Sequence, residues 1–139
     1  MWIYENEPYD PEVPPEDMQG FVYRITDLTN GMMYIGKKTL WSTRRVTVKG
    51  RKNKKKIIKE SDWRKYFGSN NELKQQVQKL GEDKYKREIL KFCRTKGECS
   101  YYEAKLQFQY DVLMSDDYYN EYIQCRIHAK HLRKNDGSE

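Results

Sequence analysis

The sequence predicts an α+β fold, a small three-stranded antiparallel sheet flanked by helices, and three observations carry that expectation. Phe21-Val22-Tyr23-Arg24-Ile25-Thr26 and Met32-Met33-Tyr34-Ile35 lie on either side of Asn30-Gly31. Asn-Gly between β-rich segments is the strongest short-range hairpin signal. Leu73, Val77 and Leu80 recur at helical spacing, as do Ala104, Phe108 and Val112. Between these two helical stretches, Tyr85 to Phe92 reads as a third strand that ends before Thr95-Lys96-Gly97.

Taken in order, residues 1–19 hold Pro8, Pro11, Pro14 and Pro15 among six acids and no base. Such a stretch cannot form a helix. It reads as an acidic, proline-rich arm with Trp2, Ile3, Tyr4 and Tyr9 as its only anchors, ahead of a domain spanning residues 20–125. If Asn30-Gly31 is a two-residue turn, Tyr23 pairs with Lys38 and Tyr34 with Asp27. Both tyrosines and Lys38 then share one sheet face and Lys37 takes the other, although a single bulge would reverse that parity.

Residues 44–60 read as a basic insertion. From Arg44 to Lys59 there are nine Lys or Arg and no acid, with Val46-Thr47-Val48 and Ile57-Ile58 flanking Gly50 and the lysine cluster. This predicts a ribbon with a mobile tip. Asn70 or Asn71 caps the first helix, and Gly81 stands at its C-terminal end. The second helix is expected over Ser100 to Leu113, with Ser100 and Glu103 forming a capping box. Beyond Asp116-Asp117 the chain reads as irregular, Tyr118, Tyr119, Tyr122 and Ile123 packing back, and residues 126–139 form a basic, polar tail.

Mean hydropathy is −1.10 and 35% of the residues are charged, while twelve tyrosines can bury their rings and keep their hydroxyls bonded. A thin, tyrosine-rich core follows. No apolar run exceeds four residues, which argues against a membrane span or a signal peptide and for the cytoplasm. Cys93, Cys99 and Cys125 are odd in number and lack C-x-x-C spacing, so they read as reduced thiols. His128 and His131 lack acidic or cysteine company and read as surface histidines. Residues 20–139 carry 27 bases against 15 acids, a net charge of +12, which calls for a polyanionic partner.

The residues with the most specific pattern sit on the predicted hairpin. Ten residues separate Tyr23 from Tyr34 in Phe21-Val22-Tyr23 and Tyr34-Ile35-Gly36, and Tyr66-Phe67-Gly68-Ser69, Leu73, Leu80-Gly81 and Arg87-Glu88-Ile89-Leu90 follow in order. The set resembles the GIY-YIG nuclease family, in its phage-type or homing-type branch, over residues 20–123. One departure is Phe21, where the family often has glycine.

The resemblance implies a metal-dependent endonuclease that hydrolyses phosphodiester bonds in double-stranded DNA, in the cytoplasm of a bacterium or a phage-infected host. It implies that Glu103 holds one Mg²⁺, which Mn²⁺ can replace, with Glu98 as an alternative ligand. Tyr23 would orient or deprotonate the attacking water, Tyr34 would bond the phosphate, and Lys37 or Lys38 would neutralise the transition state. The family arginine is matched by Arg44 by spacing or by Arg64 if the insertion displaces it. Gly36 would leave room beside the scissile phosphate, and Asn120 would support the site from behind.

Beside such a hairpin, Arg45, Lys49, Arg51, Lys52, Lys54, Lys55, Lys56 and Lys59, with Arg64 and Lys65, are expected to contact DNA. One site cuts one strand, so cleavage of both needs a homodimer or higher oligomer, sequential nicking or reorientation. The competing reading is a nucleic-acid-binding module that has kept this fold without the chemistry. Against it, Tyr23, Tyr34, Lys37, Lys38 and Glu103 are all present.

Overall fold

The computed structural model describes residues 1–133; the end of the expected polar tail, from residue 134 on, lies outside the described residues, as does the side chain of His131. A five-stranded mixed sheet runs in the order β2 (Glu7–Tyr9), β1 (Trp2–Tyr4), β7 (Tyr85–Cys93), β3 (Gly20–Asp27), β4 (Met33–Thr39), and β5 (Trp41–Val46) with β6 (Lys55–Glu60) forms a separate two-stranded ribbon. The central strands are β3 (Gly20–Asp27), β4 (Met33–Thr39) and β7 (Tyr85–Cys93), which are the three the sequence predicts. Helix α1 spans Asn71–Leu80 and α2 spans Lys96–Gln109.

The two additional strands come from the segment expected to be an arm. β1 (Trp2–Tyr4) and β2 (Glu7–Tyr9) form a hairpin, and β1 pairs in parallel with β7. Glu5 and Asn6 take positive φ of 52° and 68°, the two-residue geometry that matches strand twist. Burial drives the docking. Trp2 is 2% exposed, packs edge-on against Phe21 and Tyr23, and donates its indole N–H to the Trp63 carbonyl at 2.8 Å. Pro8 lies inside this hairpin beside Tyr9, so the proline-rich composition hides an aromatic set that forms strands.

The first hairpin keeps the expected faces but not the expected register. Tyr23 pairs with Gly36 and Ile25 with Tyr34, two positions away from the two-residue-turn alignment. The cause is Asp27, whose carboxylate accepts from Thr29 N and Thr29 Oγ1 at 2.9 and 2.6 Å and builds a wider loop that closes at Gly31, φ 77°. A shift of two preserves parity, so Tyr23, Tyr34 and Lys38 do share a face. The bulge falls instead between β3 and β7.

Two hydrophobic layers cover the sheet. Phe21, Tyr23, Ile25, Trp63, Leu73 and Val77 lie on one side with α1, and Val22, Ile35, Cys93, Cys99 and Val112 on the other with α2. Asn70 caps α1, its side chain accepting from Leu73 N at 2.9 Å. α2 starts earlier than predicted because Thr95, not Ser100, is its cap: Thr95 Oγ1 accepts from Glu98 N at 3.0 Å, and Glu98 reaches back to Arg94 N at 2.8 Å. α2 also ends earlier, at Gln109, where Asp111 turns with φ 52°. Its inward positions are therefore Cys99, Ala104 and Gln107, while Phe108 is exposed.

Candidate functional site

The site is built around an edge strand. β4 has β3 on one side only, and its open edge is closed by the segment after α2. Met33 N donates to the Asp117 carbonyl and Tyr119 N to the Met33 carbonyl, at 2.7 and 2.8 Å. One pair further on, the buried Asn120 side chain takes both backbone groups of Ile35, accepting from its N–H at 3.1 Å and donating to its carbonyl at 2.8 Å. Gln107 Nε2 donates to the same carbonyl at 2.9 Å. The backbone between Tyr34 and Gly36 is thus fixed by two amides, which take up the edge groups of Ile35.

A cleft of about 640 Å³ opens around that edge and is lined by Tyr34, Lys37, Tyr66, Glu103, Gln107 and Asn120, among others. Strand alternation puts Tyr34 and Lys37 on opposite faces, yet both reach the cleft because it wraps round the edge of β4. Tyr34 Oη lies 3.0 Å from Ser69 Oγ, and Lys37 Nζ donates to Ser100 Oγ at 2.7 Å. Burial raises the pKa of Tyr34, with its Ser69 bond opposing the rise. Burial also lifts the Glu103 carboxyl above its ordinary range, and Lys37 pulls it back.

Tyr23 is fully buried and does not line the cleft. Its hydroxyl reaches only Tyr66 Oη, at 3.4 Å, and burial, reinforced by the Tyr66 hydroxyl, holds its pKa well above the usual tyrosine value. A Cβ at Gly36 would lie 2.5 Å from Tyr23 Oη, so here the glycine makes room for the tyrosine ring. Tyr66 is held from below by Arg87, a buried guanidinium with its pKa lowered to about 10 by burial. Arg87 donates to the carbonyls of Arg64 and Tyr66 at 2.9 and 2.8 Å and stacks on Trp2 and Phe67.

Of the two lysines, Lys37 lines the cleft with Glu103. Lys38 lies 4.3 Å over the Tyr66 ring and pairs with Asp62 beside it. Neither candidate arginine lines the cleft. Arg64 is spent on Glu60, Asp10 and the Pro11 carbonyl, at 2.6, 2.7 and 2.6 Å, and Arg44 lies out on the ribbon. Glu98 serves the helix cap, which frees Glu103 in mid-helix from the capping role. The other expected DNA contacts, Arg45, Lys49, Arg51, Lys52, Lys54, Lys55, Lys56, Lys59 and Lys65, are exposed.

Sequence reasoning gave no role to Tyr66, Ser69 or Gln107. The first two lie in the quoted Tyr66-Phe67-Gly68-Ser69 stretch, so the signal was present. Gln107 had none, because a polar residue on an inward helix position looks like surface. Arg126 was assigned to the tail, but it lines a crevice that shares Lys37 and Gln124 with the main cleft.

The donor set fits one hard divalent cation. Among the described residues lining the cleft the carboxylates are Glu72, Glu103 and Glu121, of which Glu103 alone is half-buried, and Gln107, one turn on from Glu103, has a buried Oε1 with no partner in the protein. No group of three or more His, Cys, Asp or Glu among the described residues could hold a metal by itself.

A mixed sheet whose edge strand presents a tyrosine and a lysine to a cleft that also holds a helix-borne glutamate, with a separate basic ribbon, makes this a small α+β domain. A profile of the family described as "Putative endonuclease segE, GIY-YIG domain" matches residues 2–123. The chain belongs to that GIY-YIG endonuclease family. It is similar to "Putative endonuclease segE" of Enterobacteria phage T4, 31% identical over 103 residues that take in 74% of this chain and 40% of that protein. The chain therefore spans less than half the length of that relative. No solved structure matches. Among the described residues no helix is long and apolar enough to cross a membrane.

Proposed function

We propose that this protein is a divalent-metal-dependent endonuclease hydrolysing phosphodiester bonds in double-stranded DNA. The observation that carries the reading is the convergence of Tyr34, Lys37 and Glu103 on one cleft, from an edge strand and a helix far apart in sequence. Glu103, with Gln107 beside it, would hold the cation. When bound, that ion supplies positive charge to a phosphoryl oxygen and lowers the pKa of its water, the recurrent role of metals in hydrolysis.

The remaining work falls to the chain. Lys37 neutralises charge that builds on the phosphate in the transition state, and Tyr34 donates its hydroxyl hydrogen to a non-bridging oxygen. Raised pKa values keep both Tyr23 and Tyr34 protonated at neutral pH, so they act as hydrogen-bonding groups rather than as standing phenolates. Tyr23 reaches the cleft through Tyr66, which makes Tyr66 the hydroxyl that touches and orients the attacking water and Tyr23 a positioning residue behind it. Asn120 fixes the backbone that carries Tyr34.

Incubation of the purified chain with supercoiled plasmid in Mg²⁺ or in EDTA tests the reading. Open-circular or linear product in Mg²⁺ alone is expected, with Mn²⁺ able to substitute. DNA that is bound but left intact under both conditions would make the protein a binding module on this fold.

A further inference from the structure

The ribbon has two faces with different company. β5 (Trp41–Val46) and β6 (Lys55–Glu60) pair Trp41 with Glu60, Thr43 with Ile58 and Arg45 with Lys56 on one face, and Ser42 with Lys59, Arg44 with Ile57 and Val46 with Lys55 on the other. The cavities on each side agree with this alternation. Trp41, Thr43, Lys56 and Ile58 line a crevice shared with Glu16 and Asp17, and the Trp41 indole donates to the Pro15 carbonyl at 3.2 Å. Ser42 and Lys59 line a different crevice, with Lys38 in its wall.

We propose that the ribbon face carrying Arg44, Lys55 and Lys59 is a track for the phosphate backbone of duplex DNA leading into the cleft, and that the Arg45–Lys56 face is not. The proposal rests on the nuclease reading and deepens it by assigning the basic insertion a direction. Three features support it. The first is spacing: the pairs Ser42–Lys59, Arg44–Ile57 and Val46–Lys55 each hold one cation opposite an uncharged residue. Successive same-face pairs are about 6.8 Å apart, so the cations form an evenly spaced row.

The second feature is continuity. Lys59 shares its crevice with Lys38, Lys38 lies over the Tyr66 ring, and Tyr66 lines the cleft, so the crevice beside Lys59 leads on to the site, with Glu60 and Asp62 also in its wall and Asp62 paired to Lys38. The third is the contrast with the other face. There Arg45 and Lys56 sit directly opposite each other, a like-charge pair that is unfavourable unless neighbours offset it. Glu16 and Asp17 line the same crevice as Lys56, together with Arg94, and offset part of the positive charge on this face.

Two variants that remove equal charge separate the faces: Lys55→Gln with Lys59→Gln, and Arg45→Gln with Lys56→Gln. Binding to a 30-base-pair duplex of arbitrary sequence is followed by fluorescence anisotropy in EDTA across a salt series. The Lys55/Lys59 variant should lower the slope of log affinity against log salt by about 1.8, at about 0.9 per lost phosphate contact. The Arg45/Lys56 variant should lower it by less than ~0.5 on the same scale. Acetylation footprinting of the unsubstituted protein removes any dependence on how the variants fold: DNA should protect Lys55 and Lys59 and leave Lys56 reactive. Equal slope losses, or protection of Lys56 as strong as that of Lys59, would overturn the face assignment while leaving the nuclease reading in place. An unsubstituted protein that fails to bind the duplex at all would remove both.

Discussion

Replacing Gly36 with alanine probes the link between strand packing and site geometry. The φ of Gly36 is not in the left-handed region, so only space demands glycine there. The added Cβ would meet Tyr23 Oη at 2.5 Å, Tyr23 Cζ at 2.8 Å and Tyr34 Cε2 at 3.0 Å, where ordinary contact begins at 3.4 Å. The Tyr23 hydroxyl must therefore recede by about 0.9 Å, but its ring is held by Trp2, Phe21 and Tyr66 at centroid distances of 5.6, 6.3 and 5.7 Å. Overpacking of this kind costs about 1–3 kcal/mol, and the loss of chain entropy in the unfolded state returns about 0.4–1 kcal/mol.

The net loss is then about 1–2 kcal/mol. With about 2.1 cal/mol/K of unfolding entropy per residue, 139 residues give roughly 0.3 kcal/mol/K, so Tm should fall by about 3–7 °C. A group displaced by about 1 Å costs on the order of 100-fold in rate, so plasmid nicking should fall by about that factor while duplex binding changes little. Thermal melts and a nicking time course read both quantities. A variant that melts within about 1 °C of the original and nicks within about threefold of its rate would refute the reasoning.

Three further outcomes follow from the same structure. Trp2→Ala should cost about 3–5 kcal/mol, the usual range for a buried tryptophan, and lower Tm by more than about 10 °C; an unchanged melt would return residues 1–19 to the status of a tail. Thr95→Ala should cost about 1 kcal/mol in urea unfolding and Ser100→Ala less than about half of that, whereas the reverse order would make Ser100 the cap after all. Burial raises the Glu103 pKa, so its charged form disfavours folding, and stability from this group falls as pH rises through that value. Cleavage needs the charged form, so activity should be lost on acidification at a pH above the ordinary glutamate value of about 4.3, and added Mg²⁺ should shift that limb downward. An acid limb insensitive to Mg²⁺ would point to a different titrating group.

Much of the fold was legible where local chemistry decides it. Asn70 and Gly81 bracket α1 as their side-chain and backbone preferences require, and the central strands stand where β-rich runs meet turn signals. The rest depended on competition between local signals. Both Thr95-x-x-Glu98 and Ser100-x-x-Glu103 satisfy the capping pattern, and only the packing of Cys99 and Ala104 selects the first. The hairpin of residues 2–9 is a non-local feature, since β1 pairs with a strand more than eighty residues away.

In the site, Tyr34, Lys37 and Glu103 could be named as candidates from the family spacing, but that Lys37 lines the cleft and Lys38 does not could not be read there. Alternation places Lys37 on the wrong face, and it reaches the cleft because β4 is an edge strand. That property belongs to the whole sheet. The contribution of Tyr66 likewise appears only when the loop carrying it folds over Tyr23 and is tied down by Arg87.

The account turns on Glu103 as the residue that holds the cation, and Glu103→Gln measured for cleavage and for binding in the same preparation tests it most directly. The substitution keeps shape and removes the charge that a hard divalent ion prefers. Thr95 and Glu98 supply the helix cap, so no capping bond is lost, and a neutral group in a half-buried place should leave Tm unchanged or slightly higher. Mg²⁺-dependent nicking should be abolished while duplex affinity in EDTA stays within about threefold of the original. Nicking at the original rate by the folded variant would contradict the account.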